Sequence, residues 1–130
     1  NPEVLDAISK ALVEARQLLF IGYRQNRIFA AYLRWQLLQA LPMPIQVLPG
    51  AGETLGEYAA HVAPEDVVVV FALRRSVKLA QEFAAQALAA GARVLCITDH
   101  ASAALQQAGQ PARRRMAAIE ASHDVLGELR

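Results

Sequence analysis

The sequence predicts an α/β domain, a three-layer α/β/α sandwich around a parallel sheet of four or five strands. Three observations carry that expectation. Short apolar runs alternate with helical stretches from residue 17 to residue 98, the signature of βαβ units with right-handed crossovers. Residues 67–71, Val-Val-Val-Val-Phe, are apolar on both faces, as a central parallel strand must be when helices cover it on either side. The chain has 130 residues, 55% of them hydrophobic, which suits a single domain with one core.

Asn1-Pro2-Glu3 opens a helix over residues 1–15: Asn caps, Pro fits the first turn and Glu favours its positive end. Val4, Leu5, Ile8, Leu12 and Ala15 make one stripe at helical spacing. Residues 17–21 read as a buried strand stopped by Gly22. Residues 26–41 read as a second helix, ended by Pro42 and Pro44. Residues 45–48 form a short strand closed by Pro49-Gly50. Thr54-Leu55-Gly56-Glu57 has the spacing of a capping box, starting a third helix that runs to about Val62. The valine strand follows. Ser76 is placed to cap a fourth helix over residues 77–90, which stops at Gly91. Residues 93–98 form the next strand and 101–107 a short helix. Pro111 opens a last helix over 111–130, with Met116, Ile119, His123 and Leu126 on one stripe. A fifth strand is expected after residue 107, so either the sheet has four strands or residues between about 107 and 111 are missing from this numbering.

Composition narrows the function. Net charge is +1, with no long block of like charge to attract nucleic acid to the domain as a whole. The densest basic run, Arg113-Arg114-Arg115, is followed closely by Glu120. No apolar run approaches the roughly 20 residues that span a membrane. The single cysteine, Cys96, excludes an internal disulfide and a multi-cysteine zinc site, and in its apolar run it reads as a small core residue. One cysteine and no signal peptide fit a cytoplasmic protein. No metal spacing, Walker loop or nucleophile elbow is present, so no cofactor or metal is expected.

In open α/β sheets ligands bind beyond the carboxyl ends of the strands, where strand order reverses. With order 2-1-3-4 that point lies between the strands ending at Ile21 and Phe71. The loops there are Gly22-Tyr23-Arg24-Gln25-Asn26-Arg27 and Ala72-Leu73-Arg74-Arg75-Ser76. Each precedes a helix whose first N–H groups are unpaired and electropositive. Arg24, Arg27, Arg74 and Arg75 thus converge on one crevice, joined by Gly50-Ala51-Gly52-Glu53-Thr54 at the end of the second strand. Such a cluster repels itself unless a carboxylate, a phosphate or Glu53 supplies negative charge. The expected ligand-binding residues are Gly22, Tyr23, Arg24, Gln25, Asn26, Arg27, Glu53, Thr54, Arg74, Arg75 and Ser76. Asn26, Thr54 and Ser76 are also placed to cap helices, a role compatible with lining the cleft. His61 and His123 lie away from this edge. Asp99 and His100 lie on it, but adjacent residues rarely aim at one target, so no catalytic residue is assigned. The second helix carries Ile28, Phe29, Tyr32, Leu33, Trp35, Leu37 and Leu38 nearly all the way round. It must be covered on more than one side, either by a twofold homodimer or by the first and last helices.

The order of these pieces resembles the sugar isomerase (SIS) domain, with a flavodoxin-like fold, and more closely the effector-binding domain of RpiR-type bacterial transcriptional regulators. The resemblance rests on residues 15–22 leading into a strand that ends in glycine, on Pro64-Glu65-Asp66 before the valine strand, and on Ala89-Ala90-Gly91-Ala92-Arg93-Val94 leading to Ile97-Thr98-Asp99. Residues 115–129 resemble the tail of such regulators. Two loops depart from the family pattern. Where the family has Gly-x-Gly-x-Ser, this chain has Gly22-Tyr23-Arg24-Gln25-Asn26, with Arg24 for the second glycine and Asn26 for the serine. Where it has Ser-x-Ser-Gly-x-Thr to hold a sugar phosphate, this chain has Ala72-Leu73-Arg74-Arg75-Ser76-Val77. The arginine-rich loop resembles a variant subgroup. The resemblance implies a sensor of a small anionic metabolite, such as a phosphosugar or a carboxylate. It implies a connector helix at residues 1–15 and DNA binding only through an N-terminal helix-turn-helix domain absent from this chain. The same fold also serves aldose–ketose isomerases, for which Glu53, then His100, would be the base. A dimerisation domain with a degenerate site is a third expectation.

Overall fold

The computed structural model describes residues 2–75, 77–99 and 116–120. Along the chain run α1 (Pro2–Glu14), β1 (Leu18–Ile21), α2 (Gln25–Leu38), β2 (Ile45–Leu48), α3 (Gly56–Ala59), β3 (Val67–Ala72), α4 (Lys78–Ala89), β4 (Arg93–Thr98) and β5 (Met116–Glu120). The strands form one parallel sheet in the order β2-β1-β3-β4-β5. The order expected from sequence holds, and the fifth strand is present.

That strand corrects the helix expected over 111–130. Residues 116–120 pair in parallel with β4, from Val94↔Met116 to Thr98↔Glu120. Met116 and Ile119 are three apart, a spacing that suits a helix but does not settle so short a segment. The open hydrogen-bonding edge of β4 decides it, because Val94 to Thr98 are buried and their outer backbone groups need partners. The remainder of that helix, residues 111–115 and 121–130, and the short helix expected at 101–107 lie outside the described residues.

Period-two alternation of the strands builds two cores. Leu19, Ile21, Val68, Val70, Val94 and Cys96 face one way, against Phe83, Ala84, Ala87 and Leu88 of α4 and Leu55 before α3. Leu18, Phe20, Val67, Val69, Phe71, Leu95 and Ile97 face the other, against Ile8 of α1 and Ala30 and Leu33 of α2. Phe71 joins two tilted ring pairs, 5.2 Å from Phe20 and 5.7 Å from Phe29. Cys96 is a buried core residue.

At the amino edge of the sheet Asp66 is fully buried and ties three segments together. Arg16 donates to both carboxylate oxygens, Nε and one terminal nitrogen each at 2.8 Å. Gln17 Nε2 donates at 3.2 Å and the Ala63 N–H at 2.9 Å. Burial by itself would raise the Asp66 pKa, but Arg16, the Ala63 N–H and Gln17 together hold it below the ordinary value. The Ala63 bond closes the turn that leads into β3. α3 itself is one turn long, Gly56–Ala59, rather than reaching Val62.

Candidate functional site

Two loops at the carboxyl edge enclose an open cleft of about 790 Å³. One joins β1 to α2 and supplies Tyr23, Arg24, Gln25 and Asn26; the other joins β3 to α4 and supplies Leu73, Arg74, Arg75 and Val77, with Leu79 from the first turn of α4. β1 and β3 are adjacent and parallel, so segments some fifty residues apart meet at the point where strand order reverses.

Local geometry explains how each loop turns. Gly22 has no room for a side chain: a Cβ there would lie 2.7 Å from the Asn26 carbonyl oxygen and 2.9 Å from the Arg27 nitrogen. Strand end and helix start therefore touch backbone to backbone. Arg24 follows with φ 55° and ψ −120°, a conformation that favours glycine. The backbone here suits glycine although the side chain is arginine. In the other loop Arg74 also has positive φ, 65°. Its N–H donates to Asp99 Oδ2 at 2.8 Å, and the Arg75 N–H donates to Leu73 O at 2.7 Å.

Asn26 does not cap α2. It lies inside the helix, with Arg24 at the cap position and no side-chain cap bond. Its buried amide instead crosses the cleft floor. Nδ2 donates to the Leu73 carbonyl at 3.3 Å, and the Leu73 N–H donates to Oδ1 at 2.9 Å. The spacing from Gly22 makes Asn26 look like a cap, and only the adjacency of β1 and β3 reveals the clamp. α4 likewise begins with extended Val77 at its cap position, without a side-chain cap bond. Ser76 lies outside the described residues.

The rest of the expected site stands apart. Arg27 donates to the Pro49 carbonyl at 2.5 Å, outside the cleft lining. Glu53 accepts a hydrogen bond from the Tyr58 hydroxyl and lies over Gly50. That bond raises the Tyr58 pKa. Thr54 keeps one arm of its capping box, its N–H donating to Glu57 Oε2 at 3.2 Å, while Leu55 occupies the cap position of α3. His100 lies outside the described residues.

The cleft is electropositive. Arg24, Arg74 and Arg75 line it, and among the described residues none of their guanidinium groups has a carboxylate partner. Neither α2 nor α4 has an acidic residue in its first turn, so neither helix neutralises the positive end of its own dipole. Burial raises the pKa of Tyr23 on the cleft wall, which therefore keeps its proton at neutral pH. Among the described residues no cluster of His, Cys, Asp and Glu is suited to a metal, and no helix is long and apolar enough to cross a membrane.

The SIS domain family model matches residues 11–124. This chain belongs to the SIS domain family. No curated protein matches it in sequence. Solved structures share the SIS fold. The sugar isomerase domain of an RpiR transcription factor from Sphaerobacter thermophilus is 22% identical with a TM-score of 0.74, over 94% of this chain and 64% of that one. The NanR protein of Vibrio vulnificus, solved with ManNAc-6P, is 15% identical with a TM-score of 0.74, over 95% of this chain and 44% of that one. The C-terminal domain of glucosamine-fructose-6-phosphate aminotransferase from Francisella tularensis is 16% identical with a TM-score of 0.65, over 98% of this chain and 35% of that one. This SIS domain thus spans less than two thirds of the length of each. The fold is common to regulators and to enzymes of sugar phosphates.

Proposed function

We propose that this SIS domain is the effector-binding part of an RpiR-type transcriptional regulator and senses a small anionic metabolite, a phosphosugar or a carboxylate. The observation that carries the reading is the set of three arginines, Arg24, Arg74 and Arg75, lining one cleft beside two helix starts that have no acidic residue in their first turns. A bound anion relieves their mutual repulsion and draws the two loops together. The likeness to regulators supports the same reading, one of them being solved with a phosphosugar. An isomerase needs a base beside the sugar. The placement of Glu53 outside the cleft, bonded to Tyr58, favours the sensor.

In this reading the protein acts in the cytoplasm as a homodimer, and DNA is bound by a helix-turn-helix domain elsewhere in the intact regulator. The exposed stripe of α2, with Ile28 73%, Trp35 64% and Tyr32 48% accessible, supports a second copy as the cover. The start of α2 lines the cleft, so ligand and partner would act on one helix. Isothermal titration calorimetry against sugar phosphates and small carboxylates tests the site. The expected result is that Arg74→Ala with Arg75→Ala weakens binding of every hit. Unchanged binding in that double variant would place the ligand elsewhere.

A further inference from the structure

The cleft lining carries a second chemistry. Beside the arginines it includes Leu73, Val77 and Leu79, and Leu79 is 57% exposed although it is a large apolar side chain on the first turn of α4. An exposed apolar side chain inside a charged cleft offers a ligand apolar surface to cover. The polar group at the cleft floor, the Asn26 amide, is already engaged on both sides by Leu73. Sugar hydroxyls laid against Leu73, Val77 and Leu79 would lose water there without gaining partners from these three side chains, which is costly. A volume of about 790 Å³ also exceeds what a bare phosphate fills.

We propose that the ligand is an amphipathic anion: a carboxylate or phosphate head on the arginines, carried on an apolar body that covers Leu73, Val77 and Leu79. The proposal rests on the anion-site reading of the same cleft and names the chemistry of the rest of the ligand. Guanidinium suits such a head, being weakly hydrated and able to grip two oxygens at once.

Calorimetry on the whole 130-residue chain tests this with four probes: inorganic phosphate, glucose 6-phosphate, phenyl phosphate and 3-phenylpropionate. Phenyl phosphate and 3-phenylpropionate should bind at least about tenfold more tightly than the two hydrophilic anions, and Leu79→Ser should weaken those two about five- to tenfold while leaving inorganic phosphate unchanged. Arg74→Ala with Arg75→Ala should weaken all four. If glucose 6-phosphate binds as tightly as phenyl phosphate and Leu79→Ser changes nothing, the amphipathic ligand is overturned and the anion site stands. If no probe binds, or the arginine variant binds all four unchanged, both are overturned.

Discussion

Asn26 holds Leu73 by both of its backbone groups, the N–H at 2.9 Å and the carbonyl at 3.3 Å. The first turn of α2 is thereby fastened to the loop after β3, and the cleft has a fixed floor. Asn26→Ala leaves two part-buried backbone groups without a partner. It should cost about 1–3 kcal/mol in urea unfolding and weaken anion binding together with stability. Asn26→Asp keeps the acceptor but turns the donor into a charge facing the Leu73 carbonyl, so it should be no better than Ala. A variant as stable as the parent would remove the clamp from the account.

Arg24 occupies backbone geometry that favours glycine, with φ 55°. Arg24→Gly relieves that strain and should raise stability by about 0.5–1 kcal/mol. Arg24→Ala keeps the Cβ and should leave stability unchanged. Both should weaken binding of an anion, because both remove the guanidinium. Denaturant midpoints and calorimetry on the same three proteins separate the backbone effect from the side-chain effect.

Gly22 has the opposite constraint. Its φ is ordinary, but a Cβ would meet the Asn26 carbonyl oxygen at 2.7 Å. Both neighbours are backbone, so neither yields easily. Gly22→Ala should destabilise by about 1–3 kcal/mol, read as a lower urea midpoint at unchanged slope.

Much of this was legible from sequence because it depends on patterns local to each strand. The valines of β3, the glycine after β1 and the switch point between β1 and β3 follow from apolar runs and crossover rules. Contacts made across the sheet were not legible. Asn26 reads as a cap until Leu73 is known to lie beside it, and Arg27 reads as a cleft residue until the Pro49 carbonyl takes its guanidinium. Leu79 falls off the apolar stripe of Ala80, Phe83, Ala84 and Ala87, a signal that phase alone could have raised. Asp66 could have been found by register: Leu18 pairs with Val67, which sets Gln17 opposite Asp66 and brings Arg16 close.

Asp66 also gives a pH dependence with a definite sign. Its folded pKa lies below the ordinary value of 3.8. The stability it contributes is therefore present above about pH 4 and is lost as pH falls through the folded pKa. Urea midpoints should drop below about pH 4 in the parent and drop less in Asp66→Asn. At pH 7 Asp66→Ala should cost on the order of 2 kcal/mol, since it strips Arg16, Gln17 and the Ala63 N–H of their acceptor.

The exposed stripe of α2 predicts an association state. Trp35→Glu sets a charge among Ile28, Tyr32 and Leu38, all exposed on the same helix. Sedimentation velocity should show a dimer for the parent and a monomer for the variant, with the fold retained. A monomeric parent at the same concentration would leave the stripe for another partner.

Trp35 is the only tryptophan in the chain. It stands about 15 Å along the axis of α2 from Gln25 at the cleft, with most of its ring in water. The molecule thus carries its own optical probe, free of background from any other indole. Emission that shifts to the blue on concentrating the protein marks the ring losing water to a second copy. A shift on adding an anion at fixed concentration reports that the cleft and the outer face of α2 respond to one another, without a label and in the unaltered protein.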